Sequence, residues 1–136
     1  MKKVLLDTNA FISYLAGDEN VLSSLARSDM VYMSVFVLGE LYAGFKASNK
    51  VLENKRILER FLDKPRVAVF EASRETAEVF GEIKDTLRRR GRPIPINDIW
   101  IAAHAVEAGA VLVTYDAHFG AVPGLRIWDE LIMPPD

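Results

Sequence analysis

The chain contains no cysteine and only two histidines, His104 and His118, in 136 residues. The first absence excludes disulfides, thiolate nucleophiles and cysteine-ligated zinc, and it suits a reducing cytoplasm. The scarcity of histidine excludes a His-rich metal site. Neither sign of charge dominates: 17 Lys and Arg against 19 Asp and Glu leave a formal net charge of −2. No global basicity therefore marks a polyanionic partner, and any such contact has to come from a local patch. Long hydrophobic runs are also missing. The opening "MKKVLLDTNAFISYLAG" is interrupted by Asp7 and Asn9, which leaves neither a membrane span nor a signal-peptide core. There are no repeats, low-complexity segments or linkers. With half its residues hydrophobic and 26% charged, the chain reads as one cytoplasmic domain over 1–136, long enough to bury a substantial core.

Short apolar runs of strand length fall near 3–6, 30–34, 66–70, 110–114 and 125–128. The first and fourth are continuously apolar rather than alternating, as in a parallel sheet covered on both faces. Segments of helical character lie between them, at about 9–16, 18–28, 35–48, 50–63, 73–90 and 97–108. The fifth of these opens on Ser73 and closes in an arginine run before Gly91, sound cap chemistry at both ends. Strands alternating with helices predict an α/β sandwich. In such folds, sites form in the crevice beyond the carboxyl ends of the strands.

Two of the apolar runs deliver an aspartate to that crevice: "VLLDTN" ends on Asp7 and "VLVTYD" on Asp116. Each has an ordinary alternative role as a helix cap or turn residue, although Thr8 or Asn9 can cap the first helix equally well. Glu40 is the only charged residue between Val35 and Phe45. A helix apolar on all sides is expected to be buried, where a lone carboxylate costs several kcal/mol unless a counter-charge or a cation meets it. Asp98 sits where Asn97 or Asp98 itself opens another apolar helix, and there an acid also complements the macrodipole. Thr114 is two residues before Asp116, so both side chains point to one face of the strand. Taken together, up to four carboxylates converge on one end of the sheet. Their mutual repulsion is relieved by a hard divalent ion such as Mg²⁺ or Mn²⁺. An acid-lined, histidine-poor site of this kind suits phosphodiester hydrolysis by a metal-activated water.

These residues resemble the PIN-domain family, specifically the VapC-type toxins of bacterial and archaeal toxin–antitoxin pairs. Four blocks carry the resemblance, in order: "LLDTN" from Leu5 to Asn9, Ser34 followed by "GELYAG" from Gly39 to Gly44, "DIWIAA" from Asp98 to Ala103, and "LVTYD" from Leu112 with Phe119, Val122 and Leu125 beyond it. The resemblance implies a three-layer α/β/α sandwich with a mostly parallel sheet of about five strands, and metal-dependent endoribonuclease activity. It implies Asp7, Glu40, Asp98 and Asp116 as the catalytic acids that hold Mg²⁺ or Mn²⁺, with Thr114 in support and Thr8 and Asn9 orienting Asp7 or a water. The implied partners are RNA, a cognate VapB-like antitoxin that covers the acidic site, and a second copy of the chain in a homodimer.

The expected products carry 5′-phosphate and 3′-hydroxyl ends, since two isolated histidines do not support the 2′-hydroxyl route to a cyclic phosphate. Arg88, Arg89, Arg90 and Arg92, with Lys84, precede Asp98 and are candidate phosphate contacts; a solvated helix end explains them equally well. Lys46, Lys50, Lys55 and Arg56 form a looser second group. His118 is a candidate substrate contact, although a solvated loop residue explains it equally well, and His104, off the helical face of Asp98, reads as structural or surface. The apolar segments "AFISYLAG" and "VFVLGELYAGF" can line a groove for a partner helix, although core packing gives the same pattern. A haloacid-dehalogenase-type phosphatase needs a second aspartate where Asn9 stands, and a lysine near the later acids. A non-catalytic metal-binding module and a non-toxin RNA-processing PIN nuclease are the remaining alternatives.

Overall fold

A computed structural model describes residues 1–131; residues 132–136, the end of the expected domain, lie outside the described residues. Four strands form one sheet: β1 (Lys3–Leu6), β2 (Met30–Ser34), β3 (Val67–Phe70) and β4 (Val111–Val113). Their order is β3-β2-β1-β4 and every pairing is parallel, with Val4 opposite both Val31 and Val111. The position of β1 explains its composition. Paired on both edges and covered on both faces, it leaves Val4, Leu5 and Leu6 with no exposure, so these three positions after the half-buried Lys3 are all apolar.

Six helices connect the strands: α1 (Thr8–Leu15) and α2 (Glu19–Ala26), α3 (Val35–Ala47) and α4 (Val51–Leu62), then α5 (Arg74–Arg89) and α6 (Ile96–Ala108). Alternation along β2 sorts them into two layers. Val31 lies with Tyr14 and Phe61 on one face, where Phe11 and Tyr14 of α1 each meet Phe61 of α4 edge-on with ring centroids 5.1 Å apart. Tyr32 and Ser34 point the other way, toward Phe70 and His104 of α6. Helix α5 is closed at its start by a capping box between Ser73 and Thr76, which satisfies two of its otherwise orphaned donors. Helix α6 stops at Gly109, whose φ of 65° is the left-handed conformation that releases the chain into β4.

The sheet has four strands rather than the five expected. The run at 125–128 does come alongside β4, but only as a single bridge between Leu112 and Ile127. Two hydrogen bonds hold it, from Leu112 N–H to the Arg126 carbonyl at 2.8 Å and from Trp128 N–H to the Leu112 carbonyl at 3.1 Å. The short length of β4, three residues, limits the pairing, and the Trp128 indole N–H donates instead to the Thr114 carbonyl. No described helix is long and apolar enough to cross a membrane.

Candidate active site

The parallel sheet brings Asp7 and Thr114 to its carboxyl edge from adjacent strands β1 and β4. Asp7 is 4% exposed and is itself the N-cap of α1: its Oδ1 accepts the Ala10 N–H at 2.8 Å. Its capping role therefore does not pass to Thr8 or Asn9, because the β1–α1 junction leaves Asp7 alone in extended geometry before the first turn. The Thr114 hydroxyl donates to Asp7 Oδ2 and accepts the Asp116 N–H at 2.9 Å. One buried hydroxyl thus fixes an acid from β1 and the backbone of an acid after β4. Burial is the main reason the Asp7 carboxyl titrates above its ordinary range; bonds from Thr114 and Ala10 pull it back, and the Asp116 and Glu40 charges push it up.

Glu40 differs from the sequence expectation. Its helix is buried on one side only, through Val37, Leu38 and Leu41, and Glu40 is exposed. The apolar character of α3 continues onto its outer face, where Val35 and Tyr42 are also exposed. Thr8 donates its hydroxyl to Glu40 Oε1, so it orients Glu40 rather than Asp7. Asn9 is exposed and makes no side-chain hydrogen bond among the described residues.

Helix α6 begins one or two residues earlier than expected, with Pro95 at the N-cap and Ile96 at its first position, which places Asp98 in the first turn rather than at the cap. Asp98 is pushed up to about 6, first by burial and then by the charges of Asp116 and Glu40, against a smaller pull from His118. Asp116 caps a 3₁₀ turn, Ala117–Ala121, through the His118 N–H at 2.9 Å.

Asp7, Glu40, Asp98 and Asp116 line a single cavity of about 120 Å³ with Thr8, Asn9 and Ile101. That is room for an ion and a few waters, a water occupying roughly 30 Å³ of liquid. Among the described residues, no lysine or arginine forms an ion pair with any of the four acids. Uncompensated carboxylates with at least one raised pKa are the environment a hard divalent cation stabilises, and an oxygen-rich donor set fits Mg²⁺ or Mn²⁺.

The basic residues divide. Arg88 and Arg89 are exposed and paired with Asp85 on their own helix, and Arg90 ends it as an exposed C-cap. Arg92 lines a cleft of about 480 Å³ with Pro93, Ile94, Ala117 and His118. That cleft adjoins the acidic cavity, because His118 Nδ1 lies 3.0 Å from Asp116 Oδ1. Of the candidate substrate contacts, Arg92 and His118 are therefore the two that meet beside the acids. His104 is fully buried; its Nδ1 bonds the Ser34 hydroxyl at 2.8 Å, its Nε2 has no partner among the described residues, and burial holds its pKa below the ordinary histidine value.

A PIN-domain pattern matches residues 4–125. The chain belongs to the PIN-domain family. Within it, this PIN domain is similar to the protein named Ribonuclease VapC1 of Haemophilus influenzae strain R2866, at 32% identity over 116 residues, covering 82% of this chain and 85% of the relative. It is also 32% identical over 133 residues to the tRNA(fMet)-specific endonuclease VapC of Salmonella typhimurium, with 95% and 98% of the two chains covered. Its fold matches a chain of VapBC2 from Rickettsia felis, solved bound to a DNA fragment from their promoter, with a TM-score of 0.82, 31% identity and 93% and 97% coverage. The resemblance to VapC-type PIN domains drawn from the four sequence blocks is borne out.

Proposed function

We propose that this PIN domain is the ribonuclease toxin of a VapBC-type toxin–antitoxin pair, hydrolysing RNA phosphodiester bonds in the cytoplasm to 5′-phosphate and 3′-hydroxyl ends with Mg²⁺ or Mn²⁺. The observation that carries this reading is the cavity itself, which gathers Asp7, Glu40, Asp98 and Asp116 with no lysine or arginine paired to them among the described residues. A cation held there lowers the pKa of a water and offsets charge on the phosphoryl oxygens.

This chain's own residues supply the rest. Asp98 and Asp116, both half-buried, offer carboxylates to the cavity. Thr114 holds Asp7, and Thr8 holds Glu40, each in a fixed orientation. Arg92 attracts the RNA backbone into the adjoining cleft, with Arg88, Arg89 and Arg90 adding to the positive field around it. The chain acts as a homodimer. A VapB-like antitoxin covers the exposed apolar side chains of α1 and α3, Ile12, Leu15, Val35 and Tyr42, and with them the acidic cavity next to those helices.

Purified protein incubated with end-labelled RNA tests the activity. Initiator tRNA is the first substrate to try, because the Salmonella relative is named for it. Cleavage is expected with Mg²⁺ or Mn²⁺ and is lost in Asp7→Asn and on chelation; cleavage that persists in EDTA contradicts the reading. Growth arrest on induction, relieved by co-expression of a cognate VapB-like antitoxin, separates a toxin from an RNA-processing enzyme.

A further inference from the structure

The acids of the cavity are not equivalent as donors. Both oxygens of Asp7 accept hydrogen bonds within the protein, from Ala10 and Thr114, and Glu40 accepts one from Thr8. Asp98 carries no side-chain hydrogen bond among the described residues. On its side of the cavity a third kind of donor stands close by. Asp98, Asp116 and His118 can each bring one ligand atom within 4.8 Å of the other two.

The backbone makes this arrangement. Two residues along a strand from Asp116, a side chain would point the same way but about 7 Å further along. The 3₁₀ turn that begins at Asp116 folds the chain back instead, so the imidazole comes to 3.0 Å from the carboxylate that caps its own turn. His118 is exposed and lines the Arg92 cleft, with its Nδ1 against the Asp116 carboxylate of the acidic cavity.

We propose that His118 is a nitrogen ligand of the ion held by Asp98 and Asp116, giving the site a mixed oxygen–nitrogen donor set that favours Mn²⁺ over Mg²⁺. The inference rests on the metal-dependent reading above. Magnesium takes oxygen donors almost exclusively and keeps several of its waters, so an imidazole adds little to its binding. Manganese and the later divalent metals accept imidazole nitrogen, with affinity rising along the series from Mn²⁺ to Cu²⁺. One side chain at the rim therefore sets the ratio of the two affinities without altering the four acids.

The test uses the full chain, with Mn²⁺ and Mg²⁺ binding measured by calorimetry and the Mn²⁺ complex examined by pulsed electron paramagnetic resonance. Wild type is compared with His118→Gln and His118→Ala, exposed substitutions whose folding is checked by circular dichroism. Bound Mn²⁺ should show coupling to an imidazole nitrogen in wild type and none in either variant; His104 is buried and cannot supply it. The variants should bind Mn²⁺ at least about tenfold more weakly, the low end of what even outer-sphere partners contribute, while Mg²⁺ affinity stays nearly constant. If Mn²⁺ binds wild type without nitrogen coupling, and the ratio of affinities is the same in all three proteins, the His118 assignment is wrong and the metal site stands. If neither ion binds wild type, the assignment and the metal reading both fail.

Discussion

The hydroxyl of Thr114 donates to the buried carboxylate of Asp7, across two adjacent parallel strands and 107 residues of sequence. The same oxygen accepts the N–H of Asp116. A single group with one proton and two lone pairs thus positions an acid on β1 and the turn that carries an acid after β4.

Removing that hydroxyl while keeping the shape isolates its role. Thr114→Val should lower RNA cleavage by about 10–100-fold, the usual effect of losing a group that orients a metal-site residue. It should cost about 1–3 kcal/mol of stability, because Asp7 and the Asp116 N–H each lose a buried partner. Thr114→Ser should restore most of both. Steady-state cleavage and denaturant unfolding of the three proteins give the answer.

Asp98 makes the metal-free protein pay for its site. A carboxyl raised to about 6 in the folded state from 3.8 binds more protons folded than unfolded between those values, so its contribution to stability is largest below about pH 4 and is lost as pH rises through 6. In chelator, Asp98→Asn should therefore melt higher than wild type at pH 7.5, and the difference should vanish near pH 4. Mn²⁺ should raise the wild-type melting temperature and leave the variant nearly unchanged, in a series of thermal melts at fixed ionic strength.

His104 works in the opposite direction. Its folded pKa is depressed by burial, so the unfolded chain takes up a proton below about pH 6.5 that the folded chain refuses. Stability from this group is complete above that pH and is lost as pH falls. Replacing its partner, Ser34→Ala, removes the N-cap of α3 and orphans the buried Nδ1, a loss of about 2–4 kcal/mol in all. His104→Phe should narrow its stability gap to wild type as the pH falls from 7 to 5, read by urea unfolding at each pH.

The apolar outer faces of α1 and α3 should serve the antitoxin rather than the chemistry. Ile12 is 52% exposed and Leu15 47%, and neither lines the acidic cavity. Ile12→Asp combined with Leu15→Asp should weaken antitoxin binding by at least about tenfold, or 1.4 kcal/mol, and leave cleavage by the free enzyme unchanged. Co-purification and inhibition of cleavage by the partner report the two effects separately.

Much of the architecture is readable in the sequence because β1 and β4 are continuously apolar and four of the helices between them, α1, α2, α3 and α5, open on a capping Asp or Ser. The run at 125–128 misled, since apolar composition cannot show that β4 is too short to accept a full neighbour. Glu40 misled for a different reason. A helix apolar on every side reads as buried, yet the same pattern arises where one face is left for a partner, and Gly39, Ala43 and Gly44 leave that face of α3 shallow. Three polar residues in a row, Asp7, Thr8 and Asn9, do not reveal from spacing alone which of them caps and which reaches across to α3. Spacing alone offers His118 as a substrate contact or a solvated loop residue, because its approach to Asp116 depends on a 3₁₀ turn that strand periodicity does not predict.

The chemistry of the cut ends tests the central claim most directly. A synthetic RNA carrying a single 2′-deoxy sugar at the mapped cleavage site, incubated with Mn²⁺ and enzyme, should still be cut, leaving a 5′-phosphate and a 3′-hydroxyl, and should be spared when EDTA is added. If the 2′-deoxy substitution blocks cleavage, or the natural RNA yields a 2′,3′-cyclic phosphate, the acids of this cavity are not activating water and the account is wrong.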